Sequence, residues 1–360
     1  MHSLPTTSGS STASKRSMVL LTYGHTNPRE AKTATGLLRF CTDECVAVLD
    51  PTHAGRDAAE LLEIGKGVPI VGTLREVPNA DTFVLGIAPP GGKIPAEWRS
   101  LILEAIERRM RILSGLHDFL TDDPEFVEAA ERHQTELVDV RKNDFKQIAR
   151  QSDFRRECLR VHTVGHDCSV GKMVVSLSVT QGLQRRGRDA YFVATGQTGI
   201  MISGGGLPID CVAADFVSGA AEKLVLENEH HELLVVEGQG SLVHPAYSQV
   251  TLGLLHGCRP QALVFVFEAG RETVGGMDHV QLIDLATQRR LFETMGSIYE
   301  PCETIAVAMN GRKLQPDAAA KIADQVSQEL QLPVCDVVRD EPDTILDAID
   351  AFRSSRLSNH

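Results

Sequence analysis

The chain has 360 residues, of which 42% are hydrophobic and 23% charged, and its formal net charge is −12. That length predicts two ordinary domains, each with its own core. The acidic balance excludes a general nucleic-acid or anionic-membrane surface, since both select for a basic face.

Residues 1–16 are rich in Ser and Thr, end in Lys15 and Arg16, and lack the apolar core of a signal peptide. They read as a disordered tail of a cytoplasmic protein. From 17 to 121, short apolar runs (Met18 to Thr22, Cys45 to Leu49, Ile70 to Val71, Thr82 to Ile87) alternate with helical patterns near Glu30–Phe40, Asp57–Gly65 and Pro95–Arg111. This rhythm predicts a parallel sheet covered by helices, a Rossmann-like domain without the G-x-G-x-x-G fingerprint. Asp50 ends the second strand, where dinucleotide folds place a ribose-binding acid; an Asp-Pro turn is the plainer reading. Residues 122–157 are highly charged and read as a helical linker without a strand.

From 158 to 353 the rhythm returns. Tyr191 to Ala194, Leu233 to Val236, Ala262 to Phe267, Thr304 to Met309 and Val334 to Val338 are strand candidates. They are apolar throughout, as in strands buried on both faces. Helices are expected near Phe216–Glu227, Asp278–Thr294, Asp317–Leu330 and Asp343–Phe352, followed by a tail from 354. The fold class is therefore α/β, an N-terminal Rossmann-like domain plus a C-terminal doubly wound P-loop domain. No apolar run is long enough to cross a bilayer. The eight cysteines are scattered and no C-x-x-C occurs, so neither a structural zinc nor a disulfide framework is expected.

The stretch Gly165, His166, Asp167, Cys168, Ser169, Val170, Gly171, Lys172, Met173 satisfies the phosphate-binding pattern G-x-x-x-x-G-K, with Met173 where a Ser or Thr normally follows the lysine. An apolar run precedes it, and a helical pattern follows it up to Gly187. Backbone N–H groups, the helix dipole and Lys172 then form an anion cradle. The Mg²⁺-ligating hydroxyl is missing. A helix start that merely uses glycines for a tight turn is the bland alternative. Asp167 could hold a metal or cap the helix.

Further constellations are candidates. LLVVEGQGSL (233–242) ends an apolar strand in Glu237, the Walker B position for Mg²⁺ or its water, followed by Gln239 between two glycines. ATGQTGIMISGGG (194–206) offers Thr195, Gln197 and Thr198 to a substrate carboxylate or amide, or is an ordinary flexible loop. Asp210, Asp215 and Glu222 (within 208–222) could meet a substrate ammonium or Mg²⁺, while Asp215 could be a plain helix cap. His244 could act as general base, although a lone histidine is more often structural. Arg271 follows the Ala262–Phe267 strand and could fork onto a carboxylate, or pair with neighbouring glutamates. Asn310 follows a late strand at a place that lines the base pocket in P-loop folds.

The segments GHDCSVGKM, VEGQGS and AVAMN resemble dethiobiotin synthetase. A longer set is similar to the domain-of-unknown-function 1611 family: GIAPPGG (86–92), SGLHDFL (114–120), DCSVGKM, DFVSGAAE and EGQGSLVHP. That resemblance covers nearly the whole chain. It implies a Rossmann-like domain, a P-loop domain with Met after the lysine, and, for some members, D-glutamate N-acetyltransfer from acetyl-CoA. The family commonly has Thr after that Met, where this chain has Val174, which further weakens a hydroxyl–Mg²⁺ contact.

Three functions follow from these readings. The first is N-acetyltransfer from acetyl-CoA to D-glutamate or a similar acidic amino acid, with Lys172, Glu237 and His244 as catalytic residues. The second is an ATP–Mg²⁺-dependent ligase or kinase of dethiobiotin-synthetase type, with metal at Asp167 and Glu237. The third is a nucleotide-binding regulator without turnover. Each takes a small-molecule ligand, with no nucleic acid or membrane partner, and a homo-oligomer is the expected assembly.

Overall fold

The computed structural model describes residues 15–87 and 92–358, and its chain divides into two compact units. Residues 88–91 of the GIAPPGG segment, and most of the N-terminal tail, lie outside the described residues.

The first unit comprises residues up to Asn143 together with Gln197–Pro208. Its strands are β1 (Met18–Leu21), β2 (Cys45–Leu49), β3 (Ile70–Val71), β4 (Thr82–Leu85), β5 (Arg111–Ser114) and β6 (Leu137–Asp139). They lie in the order β3-β2-β1-β4-β5-β6 and every pairing is parallel. This is the doubly wound order, with its reversal between β1 and β4. Helices α1 (Lys32–Phe40), α2 (Ala58–Leu62), α3 (Arg99–Glu107) and α4 (Pro124–His133) connect the strands. Asp50 sits at the end of β2 but is saturated by the protein. Its carboxylate accepts hydrogen bonds from Thr26 Oγ1 (2.5 Å), Thr52 N (2.9 Å) and Thr52 Oγ1 (2.6 Å), and lies 2.8 Å from His53 Nδ1. The plainer turn reading of Asp50 is the one the geometry supports.

The 122–157 segment differs from the expected linker. Its first half supplies α4, capped by Asp123 through the N–H groups of Glu125 and Phe126, and then β6, the sixth strand of the first sheet. From 140 to 157 the segment is irregular, and the residues after 143 group with the second unit. They are held to the second unit by Glu222, whose buried carboxylate accepts hydrogen bonds from the N–H groups of Arg150 (2.7 Å) and Ser152 (2.8 Å).

The second unit comprises Asp144–Gly196 and Ile209 onward. Its main strands are β7 (Leu159–Gly165), β8 (Ala190–Val193), β9 (Leu233–Val236), β10 (Ala262–Glu268), β13 (Glu303–Asn310) and β14 (Val334–Asp336), in the parallel order β14-β13-β10-β7-β9-β8. Helices α5 (Lys172–Arg185) and α11 (Asp343–Ser358) cover one face. Val175, Val179, Leu183, Ile345 and Leu346 meet Val161, Val264 and Ala306 there. On the other face α8 (Ser248–Cys258) and α9 (Leu285–Gly296) contribute Leu255 and Phe292 to a cluster with Val164, Leu263 and Phe265. Helix α10 (Pro316–Leu330) packs Val326 and Leu330 near Phe267 and Met309, and α7 is Val217–Asn228.

Two helix expectations change in this unit. Residues expected as the start of a helix at Asp278 instead form a hairpin, β11 (Thr273–Val274) with β12 (Met277–Gln281), and α9 begins only after Asp284, whose carboxylate caps Thr287 N. The expected tail from 354 continues α11 to Ser358. Helix α6 (Gln197–Ser203) groups with the first unit and not with its sequence neighbours. Among the described residues, no helix is long and apolar enough to cross a membrane, and the eight cysteines are all free.

Candidate functional site

The candidate site lies at the carboxyl ends of β7, β9, β10 and β13 in the second unit, where open α/β sheets bind ligands. β7 runs into the glycine loop and α5 begins at Lys172. Gly171 adopts φ 113° and Ser169 φ 57°, so the loop turns through the left-handed region twice before the helix starts. Glycine at 171 removes the cost of that conformation. Asn310, at the end of β13, donates from Nδ2 to the carbonyl of Val170 at 3.1 Å and thereby fixes the loop's last turn.

Lys172 is 6% exposed and donates from Nζ to the carbonyl of Asp167 at 2.8 Å. Two glycines make room for it. A Cβ on Gly165 would stand 3.2 Å from the lysine Nζ, and one on Gly238 would stand 2.8 Å from its Cδ and 1.8 Å from the carbonyl oxygen of Thr163. Burial pulls the Lys172 pKa down to about 8, with nearby Arg271 acting in the same direction. A buried, weakly neutralised ammonium at the junction of a glycine loop and a helix N-terminus is an incomplete site, and an anion completes it.

Glu237 ends β9 and is 2% exposed. Its Oε2 accepts hydrogen bonds from the N–H groups of Thr195 (2.9 Å) and Gly196 (3.0 Å), while Gln239 Nε2 donates to Oε1 at 3.3 Å. Burial pushes the carboxyl pKa up to about 7 against the opposing pull of those amides. Thr195 also donates from Oγ1 to the Glu237 carbonyl at 2.8 Å. Two residues expected to touch substrate, Thr195 and Gln239, thus stand as hydrogen-bond partners of Glu237.

Asp167 has a different character. Its Oδ2 accepts from Arg271 NH1 (2.8 Å) and from Gly275 N (2.7 Å), and its Oδ1 accepts from Cys168 N (2.7 Å). Burial works to raise its pKa, but Arg271 and the two amides outweigh burial and hold the carboxyl below its ordinary range. Arg271 also donates to the carbonyl of Cys168 at 2.9 Å and pairs with Glu268, which in turn meets Lys313. His244 is 2% exposed, with its Nε2 4.0 Å from Asp167 Oδ1 and 3.4 Å from the carbonyl of Gly275. The N–H of Ala246 points at His244 Nδ1 from 3.1 Å. Nδ1 is therefore the bare acceptor and the proton sits on Nε2.

Asp167, Cys168 and His244 each bring a ligand atom within 4.8 Å of the others. The donor set does not fit a metal: Nε2 of His244 carries a proton that donates, and both Asp167 oxygens are already engaged. Asp167 and Glu237, the expected Mg²⁺ pair, have separate partners, and Met173 offers no hydroxyl beside Lys172. Of the remaining expected residues, Asp210 and Asp215 are exposed, and the charge of Asp210 adds to the upward shift at Glu237; Gln197 opens α6, which groups with the first unit, where Thr198 Oγ1 lies 3.2 Å from Thr33 Oγ1. His166 is buried in the loop with Nε2 unpartnered, and burial lowers its pKa to about 4. Gly275 is a contact residue that the sequence reading missed, along with the backbone partners Gly196 and Ala246. The Gly275-Gly276 pair between β11 and β12 is a hairpin signal that could have found it.

Fold and site together define a P-loop α/β protein joined to a Rossmann-like unit. Residues 147–346 match the P-loop domain of the domain of unknown function 1611 (DUF1611_C), and residues 51–143 match its Rossmann-like domain (DUF1611_N). The chain belongs to this family. It is 41% identical over 269 residues to a D-glutamate N-acetyltransferase of Pseudoalteromonas sp., covering 74% of this chain and 81% of the relative. It is 36% identical over 324 residues to a D-glutamate N-acetyltransferase of Tritonibacter scottomollicae, covering 89% and 94%. The crystal structure of a DUF1611 family protein from Anabaena variabilis superposes with a TM-score of 0.84 at 34% identity, over 93% of this chain and 99% of that one.

Proposed function

We propose that the protein transfers the acetyl group of acetyl-CoA to the amino group of D-glutamate or a closely similar acidic amino acid. The observation that carries this reading is the 36% identity to a D-glutamate N-acetyltransferase across 89% of this chain and 94% of the relative. The site supports it in two ways. The Lys172 cradle suits a CoA phosphate, Met173 offers no hydroxyl after the lysine, and the Asp167 carboxylate is committed to Arg271 and Gly275. Glu237, with a pKa near 7, suits a base that takes the proton from the acceptor ammonium.

The nitrogen lone pair then attacks the thioester carbon. The C–N bond forms, the C–S bond breaks, and the thiolate leaves as free CoA after taking up a proton. Both roles hold together only if the pantetheine arm folds back toward the loop, because an extended arm carries the thioester away from the phosphates. His244 does not serve as the base in this reading, since Nδ1 accepts from Ala246 N–H and Nε2–H is turned to the Gly275 carbonyl.

Calorimetry with acetyl-CoA and with ATP–Mg²⁺, each with and without D-glutamate, followed by a thiol-release assay, tests the proposal. Tight acetyl-CoA binding and D-glutamate-dependent CoA release are expected. Binding of ATP–Mg²⁺ alone would reject it in favour of the ligase or kinase alternative. Nucleotide binding without turnover would favour a regulator.

A further inference from the structure

The β11–β12 hairpin stands apart from the main sheet as a separate two-stranded ribbon. Such a ribbon is marginal in water by itself, so its position depends on anchors. Asp278, His279 and Gln281 on β12 are exposed, and only Val274 is deeply buried. Three of its polar bonds reach the Asp167–Cys168 segment of the phosphate loop, and a fourth comes from His244. The hairpin tip donates from Gly275 N to Asp167 Oδ2 and accepts His244 Nε2–H at the Gly275 carbonyl. Arg271, at the foot of the hairpin, donates to the same Asp167 oxygen and to the Cys168 carbonyl. Close packing accompanies these bonds, for a Cβ on Gly275 would stand 3.2 Å from Asp167 Oδ2 and 3.3 Å from Arg271 NH1. Gly270, at φ 78°, turns the chain just before Arg271 at the foot of the hairpin, and Gly276, at φ 79°, forms its tip with Gly275.

We propose that Asp167 and His244 are positioning residues that strap this hairpin onto the phosphate loop as a lid, and are neither metal ligand nor base. The carboxylate is the hub: it fixes the hairpin through Gly275, the foot through Arg271 and the loop through Cys168 N. The lid opens to admit an anionic ligand and closes to seat it on Lys172. This goes beyond the proposed reaction and holds whichever phosphorylated ligand the loop takes.

Hydrogen exchange of the full-length protein, read by mass spectrometry, tests it. Losing the Asp167 acceptor removes a charge-assisted hydrogen bond, so amides 273–282 of Asp167→Ala are expected to exchange about 10-fold faster or more. Asp167→Asn, which keeps one acceptor oxygen, should fall between, and His244→Ala should accelerate the same segment while β10 stays protected. With acetyl-CoA or ATP–Mg²⁺ as probe, whichever binds should slow exchange of 273–282 in the native protein. The KM of Asp167→Ala should rise by more than its kcat falls.

Unchanged exchange of 273–282 in both the Asp167→Ala and His244→Ala variants overturns the lid, as does a collapse of kcat at constant KM. Absence of acetyl-CoA binding to the native protein would sink the proposed reaction while faster exchange in the variants still upheld the lid.

Discussion

Replacing Glu237 by Gln tests the central electrostatic claim most directly. The side chain is fully enclosed, and its pKa moves from 4.5 to about 7. A carboxyl whose folded pKa is raised stabilises the fold below its unfolded pKa, and that contribution is lost as pH rises through the folded value. At about 1.4 kcal/mol per pKa unit, the full penalty of charging Glu237 is about 3 kcal/mol, of which roughly 2.5 kcal/mol develops between pH 5 and pH 8. Gln has the same shape and keeps an acceptor for Thr195 N and Gly196 N, but it never ionises. The variant is therefore expected to gain stability relative to the native protein as pH rises from 5 to 8. Urea denaturation of both proteins across that range reads the difference. In the acetyl-transfer assay, the rising limb of kcat/KM near pH 7 should vanish with the carboxyl. Parallel stability curves for the two proteins would show that Glu237 does not titrate near neutrality and would refute its role as base.

Lys172→Ala should weaken acetyl-CoA binding about 100-fold by calorimetry, as expected for loss of a buried charge-assisted contact. Since burial holds the Lys172 pKa near 8, an anion that fixes the charged form should draw up part of a proton at pH 8; binding heats measured in buffers of different ionisation enthalpy should diverge, and identical heats would contradict the cradle. Acetyl transfer should survive removal of divalent metal by EDTA, because Asp167 is committed to Arg271 and Gly275; an activity lost with EDTA and restored by Mg²⁺ would reverse that assignment. Arg160→Met should cost about 3 kcal/mol in urea denaturation, because the buried guanidinium donates to the carbonyls of Cys258 and Arg259 and pairs with Glu300 at 2.6 Å.

The strands and helices legible in the sequence are those whose neighbours are apolar on every side. β9 and β10 are buried at each residue, so continuous apolar runs announce them. β6 escaped notice because Leu137, Val138 and Asp139 are only half-buried and Asp139 serves as an acceptor for Leu120 N and Thr121 N. The β11–β12 hairpin was absorbed into the pattern of α9 because its exposed polar residues break the alternation of a strand. Within the site, the glycine pattern revealed Lys172, and the strand-end position revealed Glu237. The saturation of Asp167 was not visible, since its partners Arg271 and Gly275 lie more than 100 residues along the chain. Nor was the attachment of α6 to the first unit, which depends on tertiary packing and carries no local sign.

How each buried ionisable group is compensated separates the holders from the workers. Asp167 is surrounded by donors, its pKa lies low, and its charge is fixed across the neutral range; such a group is suited to hold backbone in place and poorly suited to exchange a proton. Lys172 and Glu237 are nearly as deeply buried, but their partners do not cancel the desolvation, so burial moves the ammonium down to about 8 and the carboxyl up to about 7. Uncompensated burial of this kind costs stability in the free protein. It becomes useful when an arriving ligand supplies the missing partner, an anion for the lysine and an ammonium proton for the carboxylate. The same residues placed on a solvated surface would retain ordinary pKa values and lose both functions, which is why Gly165 and Gly238, the residues that let Lys172 sink between the strands, belong to the chemistry as much as the charged groups do.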